Sequence, residues 1–235
     1  GGRSVSRNVT VHSKNKGSAA APSLARNPLL VTISGIRGIA GSQLSPRAIV
    51  CYVTAFARMT KARRMVLGHD ARPSAKWILP LVEGTLRGLG IEVCFSGLTP
   101  TPTLGILIRS LKADAGINVT ASHNPIEYNG LKFFSKSGTF ITKEMLADLI
   151  AEHAKVESGE ENDQTPVGTR REITNVADVQ LDALRKAFPP TKRKRNASQL
   201  RVIIDCCNST GAIVAPDVAD AYGALFQTIF ADKTK

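Results

Sequence analysis

Residues 120–132 read T-A-S-H-N-P-I-E-Y-N-G-L-K. A serine, a histidine and an asparagine stand in a row, Ser122, His123 and Asn124, and Lys132 follows ten residues after the serine. Pro125 stiffens the turn, and Tyr128, Asn129 and Gly130 bring the chain back. A short apolar strand at 115–119 delivers the chain into this loop, and a second at 131–134 carries Lys132 out of it. Loops at the carboxyl ends of strands are where α/β sheets bind ligands. An exposed serine, an imidazole beside it and a cation on the returning strand are the parts needed to load a hydroxyl with a phosphoryl group and hold its charge. A bare S-H-N-P reads equally well as a polar turn satisfying its own backbone. The whole thirteen-residue string is what points to chemistry.

The elements that must position this loop follow from the pattern around it. Residues 29–33 read as a strand, and S-G-I-R-G at 34–38 as a loop. Ser45 and Pro46 offer an N-cap and a first-turn proline for a helix to about residue 62. Residues 64–68 form a buried strand and 74–89 a helix ended by Gly90. A strand at 91–95, a proline-rich turn at 98–103, a helix at about 103–112 and a helix at 143–153 complete the series. Strands alternating with helices of this length predict an α/β domain, with helices on both faces of a mostly parallel mixed sheet. Residues 154–175 are polar and read as a connector.

The pattern then restarts. A helix at about 176–187 leads to a strand at 200–205, a helix at about 211–222 ended by Gly223, and a last strand at 224–230. The order matches the earlier stretch that runs from strand 65–70 through a helix to Gly90. The acid-to-glycine spacings, Asp70 to Gly90 and Asp205 to Gly223, are 20 and 18 residues. This is the start of a second, similar α/β unit, over 176–235. One strand–helix–strand cannot bury both faces of a sheet, so the chain reads as incomplete at its C-terminus.

Composition narrows the function classes. The formal charge is +12, but eleven of the 31 basic residues precede the first acid, Asp70, leaving 20 basic against 19 acidic groups after it. The excess belongs to one end of the chain, five of those eleven falling in a tail at 1–28 that reads as disordered, plus a short basic run at 192–195, not to a surface built to coat nucleic acid. No apolar run approaches the ~20 residues a membrane span needs. The four cysteines, Cys51, Cys94, Cys206 and Cys207, have no CxxC spacing, which argues against a zinc site and for a reducing, cytoplasmic setting. Asp70 and Arg72 read as a buried ion pair that stabilises a turn, and Asp205 as structural too.

The string T-A-S-H-N-P-x-x-Y-N-G-x-K resembles the active-site serine loop of the α-D-phosphohexomutases, the phosphoglucomutase/phosphomannomutase superfamily. Three other segments are similar to that family in the same order: S-G-I-R-G at 34–38, G-H-D-A-R at 68–72 and T-P-T-P at 99–102. V-I-I-D-C-C-N-S-T-G at 202–211 resembles the opening of the family's second domain. The resemblance implies a reversible phosphosugar mutase acting on a hexose phosphate, with a hexose bisphosphate as intermediate and activator. Ser122 would carry the phosphate, and His123 and Lys132 would handle protons and charge. Arg37 would contact the phosphate through its planar fork, and Asn124 would orient the loop on the substrate and phosphate side. Mg²⁺ would bind the Ser122 phosphate.

The family's D-x-D-x-D metal loop and its later sugar- and phosphate-recognition loops do not occur in this sequence. The resemblance therefore implies the N-terminal half of a mutase, inactive by itself. The rival reading is a non-catalytic, truncated or scaffold form that only binds a partner. Which hexose phosphate is preferred, and the oligomeric state, are not legible.

Overall fold

The computed structural model describes residues 28–160, 165–189 and 200–232. The tail over 1–27, the basic run at 192–195, and Glu161 and Asp163 of the expected connector lie outside the described residues.

Ser45 begins helix α1 (Pro46–Thr60) as its sequence predicts: its hydroxyl accepts from the Ala48 N–H at 3.2 Å, and Pro46 occupies the first turn. The next strand, β3 (Arg64–His69), shows how the layers arise. Successive strand residues face opposite sides. Met65 and Leu67 enter a core shared with α1, α2 (Ala75–Gly88) and α4 (Lys143–Glu157), whereas Val66 enters a second core with α3 (Thr101–Ser110). Helices therefore cover both faces of one sheet.

That sheet has seven strands in the order β1 (Leu30–Thr32), β2 (Gly35–Ile39), β6 (Tyr128–Ser135), β5 (Ala115–Val119), β3, β4 (Glu92–Leu98) and β7 (Arg170–Glu172). Neighbours from β5 to β7 are parallel; those from β1 to β5 are antiparallel. A separate parallel pair, β8 (Arg201–Asp205) and β9 (Leu225–Ile229), brackets helix α6 (Gly211–Ala221), so four of the seven described pairings are parallel. Helix α5 (Val176–Ala187) joins this second unit to the first, with Val176 buried in the α3 core and Thr103 Oγ1 donating to Gln180 Oε1 at 2.9 Å.

Two expectations need correction. S-G-I-R-G is not a loop: residues 35–39 form β2, paired to β1 and β6. Glycine is depleted in strands and hid this one. Here it is required, because Gly35 has φ 117 and a Cβ on it would stand 1.9 Å from the Leu131 carbonyl oxygen. The stretch 154–175 is also more than a connector. Helix α4 runs on to Glu157, and Arg170, Arg171 and Glu172 add β7 beside β4. Three charged residues carry no strand signal; Arg170 lies instead over the Phe95 ring at 4.2 Å and pairs with Glu83 and Glu172.

Candidate active site

Strand β5 ends at Val119, and the chain turns through Thr120, Ala121 and Ser122 before Tyr128 starts β6. Ser122 takes a left-handed backbone conformation, φ 58, which is unusual for a residue with a side chain. Both of its backbone groups are anchored. Its N–H donates to Thr120 Oγ1 at 2.9 Å, and its carbonyl accepts from Arg72 Nη2 at 2.9 Å. The hydroxyl-bearing side chain belongs to an exposed residue at the edge of a small cleft. Thr32, Ser34, Arg37, Thr120 and Lys132 are also in the wall.

Arg37 reaches this cleft from β2, opposite Gly130 of β6. The two strands approach closely there, since a Cβ on Gly130 would be 2.4 Å from the Ile36 carbonyl oxygen. Lys132 reaches it from β6, opposite Asn118 of β5, with Nζ 5.2 Å from the centre of the Phe140 ring. Burial, helped by the Arg37 charge and opposed by Asp70, lowers the Lys132 ammonium below its ordinary value. A lysine in that condition gives up its proton more readily than one in water, which suits it to proton transfer.

The structure thus brings Ser122, Arg37 and Lys132 around one cleft. His123 is exposed beside Ser122 and does not line it. Asn124 is not in the wall either: its side-chain amide donates to the Ala121 carbonyl at 2.6 Å, within the loop. Three residues go beyond their sequence reading. Ser34 and Thr32 line the cleft, their hydroxyls hydrogen-bonded to each other at 2.9 Å. Arg72 does pair with Asp70, at 3.2 Å, yet it also donates to four carbonyls of the serine loop. The G-H-D-A-R turn signalled the pair; nothing in residue types signals contacts to backbone oxygens.

A divalent cation wants several oxygen ligands, usually carboxylates among them. Among the described residues no group of three or more His, Cys, Asp or Glu side chains is arranged to hold a metal ion. The one buried side-chain oxygen among them without a hydrogen-bond partner is Asn118 Oδ1, a neutral amide on the strand beside Lys132. These residues do not make a magnesium site of their own. Nor is any described helix long and apolar enough to cross a membrane.

Fold and cleft together define a class: a layered α/β/α domain that presents hydroxyls and two cations at the carboxyl end of a central strand. Residues 29–160 match the family described as phosphoglucomutase/phosphomannomutase, alpha/beta/alpha domain I, and the chain belongs to that family. It is 32% identical over 197 residues to the phosphoglucosamine mutase of Thermoanaerobacter pseudethanolicus, an overlap of 81% of this chain and 42% of that protein. It is 33% identical over 202 residues to the phosphoglucosamine mutase of Carboxydothermus hydrogenoformans, covering 83% and 44% of the two chains. A crystal structure from Thermus thermophilus, provisionally described as a phosphomannomutase, superposes with a TM-score of 0.71 at 26% identity, over 86% of this chain and 46% of that one. The chain spans less than half the length of these relatives.

Proposed function

We propose that this chain is the nucleophile-bearing half of a phosphosugar mutase, an isomerase of the phosphoglucomutase/phosphomannomutase type. In this reading residues 29–153, with β7 added at the sheet edge, form the first domain; 154–175 otherwise link it to 176–235, the beginning of a second. The observation that carries the reading is the convergence of Ser122, Arg37 and Lys132 from three chain segments on one cleft in a chain of this family.

The reaction is an in-line phosphoryl transfer, in which positioning and charge neutralisation dominate. Phosphorylated Ser122 gives its phosphoryl group to a free hydroxyl of a hexose phosphate. The P–Oγ bond breaks, a P–O bond to the sugar forms, and a hexose bisphosphate results. Return of the other phosphate to Ser122 completes the isomerisation. Arg37 grips the phosphate through two N–H groups. Lys132 and His123 take the proton from the attacking hydroxyl and supply one to the departing Oγ, and Asn124 holds the loop in shape. A bound Mg²⁺ would add charge neutralisation, and the group this chain would offer it is the phosphate on Ser122.

The substrate class is hexose phosphates, with the bisphosphate as activator. Glucosamine phosphate is the first to test, because the two relatives described above are phosphoglucosamine mutases. No role with nucleic acid or membrane is proposed, and the four free thiols fit a reducing, cytoplasmic setting. Phosphate mapping on active protein after incubation with labelled hexose bisphosphate tests the reading. Label on Ser122 is expected; label confined to Ser34 or Ser135 refutes it. Residues 1–235 alone should show no turnover in a coupled assay with Mg²⁺ and bisphosphate, and robust turnover would show that the sugar- and metal-holding groups have been misplaced.

A further inference from the structure

Arg72 sits two residues after Asp70 at the end of β3, beside the phosphate cleft but outside its wall. An arginine near a phosphate-bearing serine is ordinarily read as a phosphate ligand. Its hydrogen bonds say otherwise. A guanidinium has five N–H donors. Here Nε donates to Asp70 Oδ2 at 3.2 Å. Nη1 donates to the carbonyls of Pro125 at 2.5 Å and Tyr128 at 2.9 Å. Nη2 donates to those of Ser122 at 2.9 Å and Asn124 at 2.6 Å. All five donors are committed, and the side chain is only 9% exposed.

The same atoms close a ring around Ser122. Its N–H binds Thr120 Oγ1 at 2.9 Å, the Thr120 hydroxyl donates to Asp70 Oδ2 at 2.6 Å, Asp70 holds Arg72, and Arg72 holds the Ser122 carbonyl. Both peptide groups flanking the Ser122 Cα are therefore fixed, which is what sustains a left-handed conformation at a residue with a Cβ. Asp70 cancels the guanidinium charge that burial would otherwise penalise.

We infer that Arg72 is the positioning residue for Ser122: it folds the 122–128 loop around its guanidinium and aims the serine, and it lends no charge to the phosphate. The inference rests on Ser122 being the phosphate carrier, but its test does not require phosphoryl transfer. Amide hydrogen exchange on the full chain reads the loop directly. Arg72→Ala and Arg72→Lys should both raise exchange of the Ser122, Asn124 and Tyr128 amides at least tenfold, with exchange in β3 and β4 unchanged. Lysine keeps the charge but has three donors on one nitrogen and cannot span four carbonyls. Millimolar ethylguanidinium should restore protection in Arg72→Ala, and ethylammonium should not.

Loop exchange within twofold of wild type in Arg72→Lys overturns the inference, as does exchange that rises equally throughout β3 and β4. If Arg72→Ala does not fold, Thr120→Val opens the ring from its other side with little change of shape. The same loop-confined rise is expected of it, and unchanged exchange at Ser122 counts against the ring. Failure of the mutase reading would show separately, as absence of phosphate on Ser122.

Discussion

The molecule contains the same turn twice. At the end of β3, Asp70 Oδ1 accepts the N–H of Arg72 at 3.1 Å; at the end of β8, Asp205 Oδ1 accepts the N–H of Cys207 at 2.9 Å. Both turns lead into helices with an internal proline, Pro80 and Pro216, and both helices are followed by a glycine at positive φ, Gly90 and Gly223. Both helices return to a parallel strand. Yet one turn anchors the serine loop and the other ends in an exposed thiol. Two things separate them. The residue two positions past the acid is a long fork in one and a short thiol in the other. And β3 lies between β5 and β4, whereas β8 pairs with β9 alone among the described strands. The acid makes the turn; the neighbouring strand and the side chain it can reach make the site.

The largest expected contrast is in activity. Ser122→Ala should reduce mutase turnover of full-length protein on the order of a thousandfold or more, the scale of losing a covalent nucleophile. Ser209→Ala, in the second turn, should leave most of it, although Ser209 Oγ accepts the Ala71 N–H at 3.3 Å. Equal losses would show that the second turn takes part in the chemistry.

Next comes a contrast in stability. Leu67 is fully buried and Val202, its counterpart three residues before the acid, only half so. Leu67→Ala should cost about 3 kcal/mol by denaturant unfolding and Val202→Ala about 1 kcal/mol. Similar values would mean that the second unit is packed as tightly as the first.

A smaller contrast lies one residue on. A Cβ on Gly68 would meet Leu104 Cδ1 at 2.8 Å and Ser96 Oγ at 2.9 Å, while its counterpart Ile203 is 72% exposed. Gly68→Ala should destabilise by about 1–2 kcal/mol through overpacking, and Ile203→Thr should change stability by no more than about 0.5 kcal/mol. A destabilising Ile203→Thr would place a covering element on that face.

The smallest effect concerns a layer found in the first unit, α4 against α1. His153 stacks on Tyr52 with ring centres 3.8 Å apart, and burial lowers its imidazolium pKa against the opposing pull of Glu157. A histidine whose folded pKa is depressed contributes full stability above its ordinary value and loses it as pH falls toward the lowered one. Denaturant midpoints should therefore drop modestly between about pH 7.5 and about pH 5.5. His153→Phe, which keeps the stack, should flatten that slope; an unchanged slope would assign it to other groups.

Ser122 and Lys132 were legible because an apolar strand, a turn and a second strand are written plainly around them. Arg37 was legible as a residue but not as part of a strand, since two of the five residues in β2 are glycines and the pairing partner lies far along the chain. Asp70 and Arg72 read as an ion pair, which they are. The four carbonyls on the guanidinium escaped notice because every residue has a carbonyl and only the folded loop turns these four inward. Strand β7 escaped for the opposite reason: its side chains are all charged, and their partners, Phe95 and Glu83, come from other elements.

The pairing of β2 with β6 also sets an order of events in folding. Ile36 finds Leu131 across 95 positions of chain, so the strand that bears Arg37 has its long-range partner only once residues 128–135 exist. During synthesis the segments between them emerge first, and β3, α2 and β4 can pair locally while β2 waits with an open edge. The arginine meets the serine loop only once β6 is there. A nascent chain that has emerged only as far as residue 127 has β1 to β5 to pair and no β6 to complete the cleft.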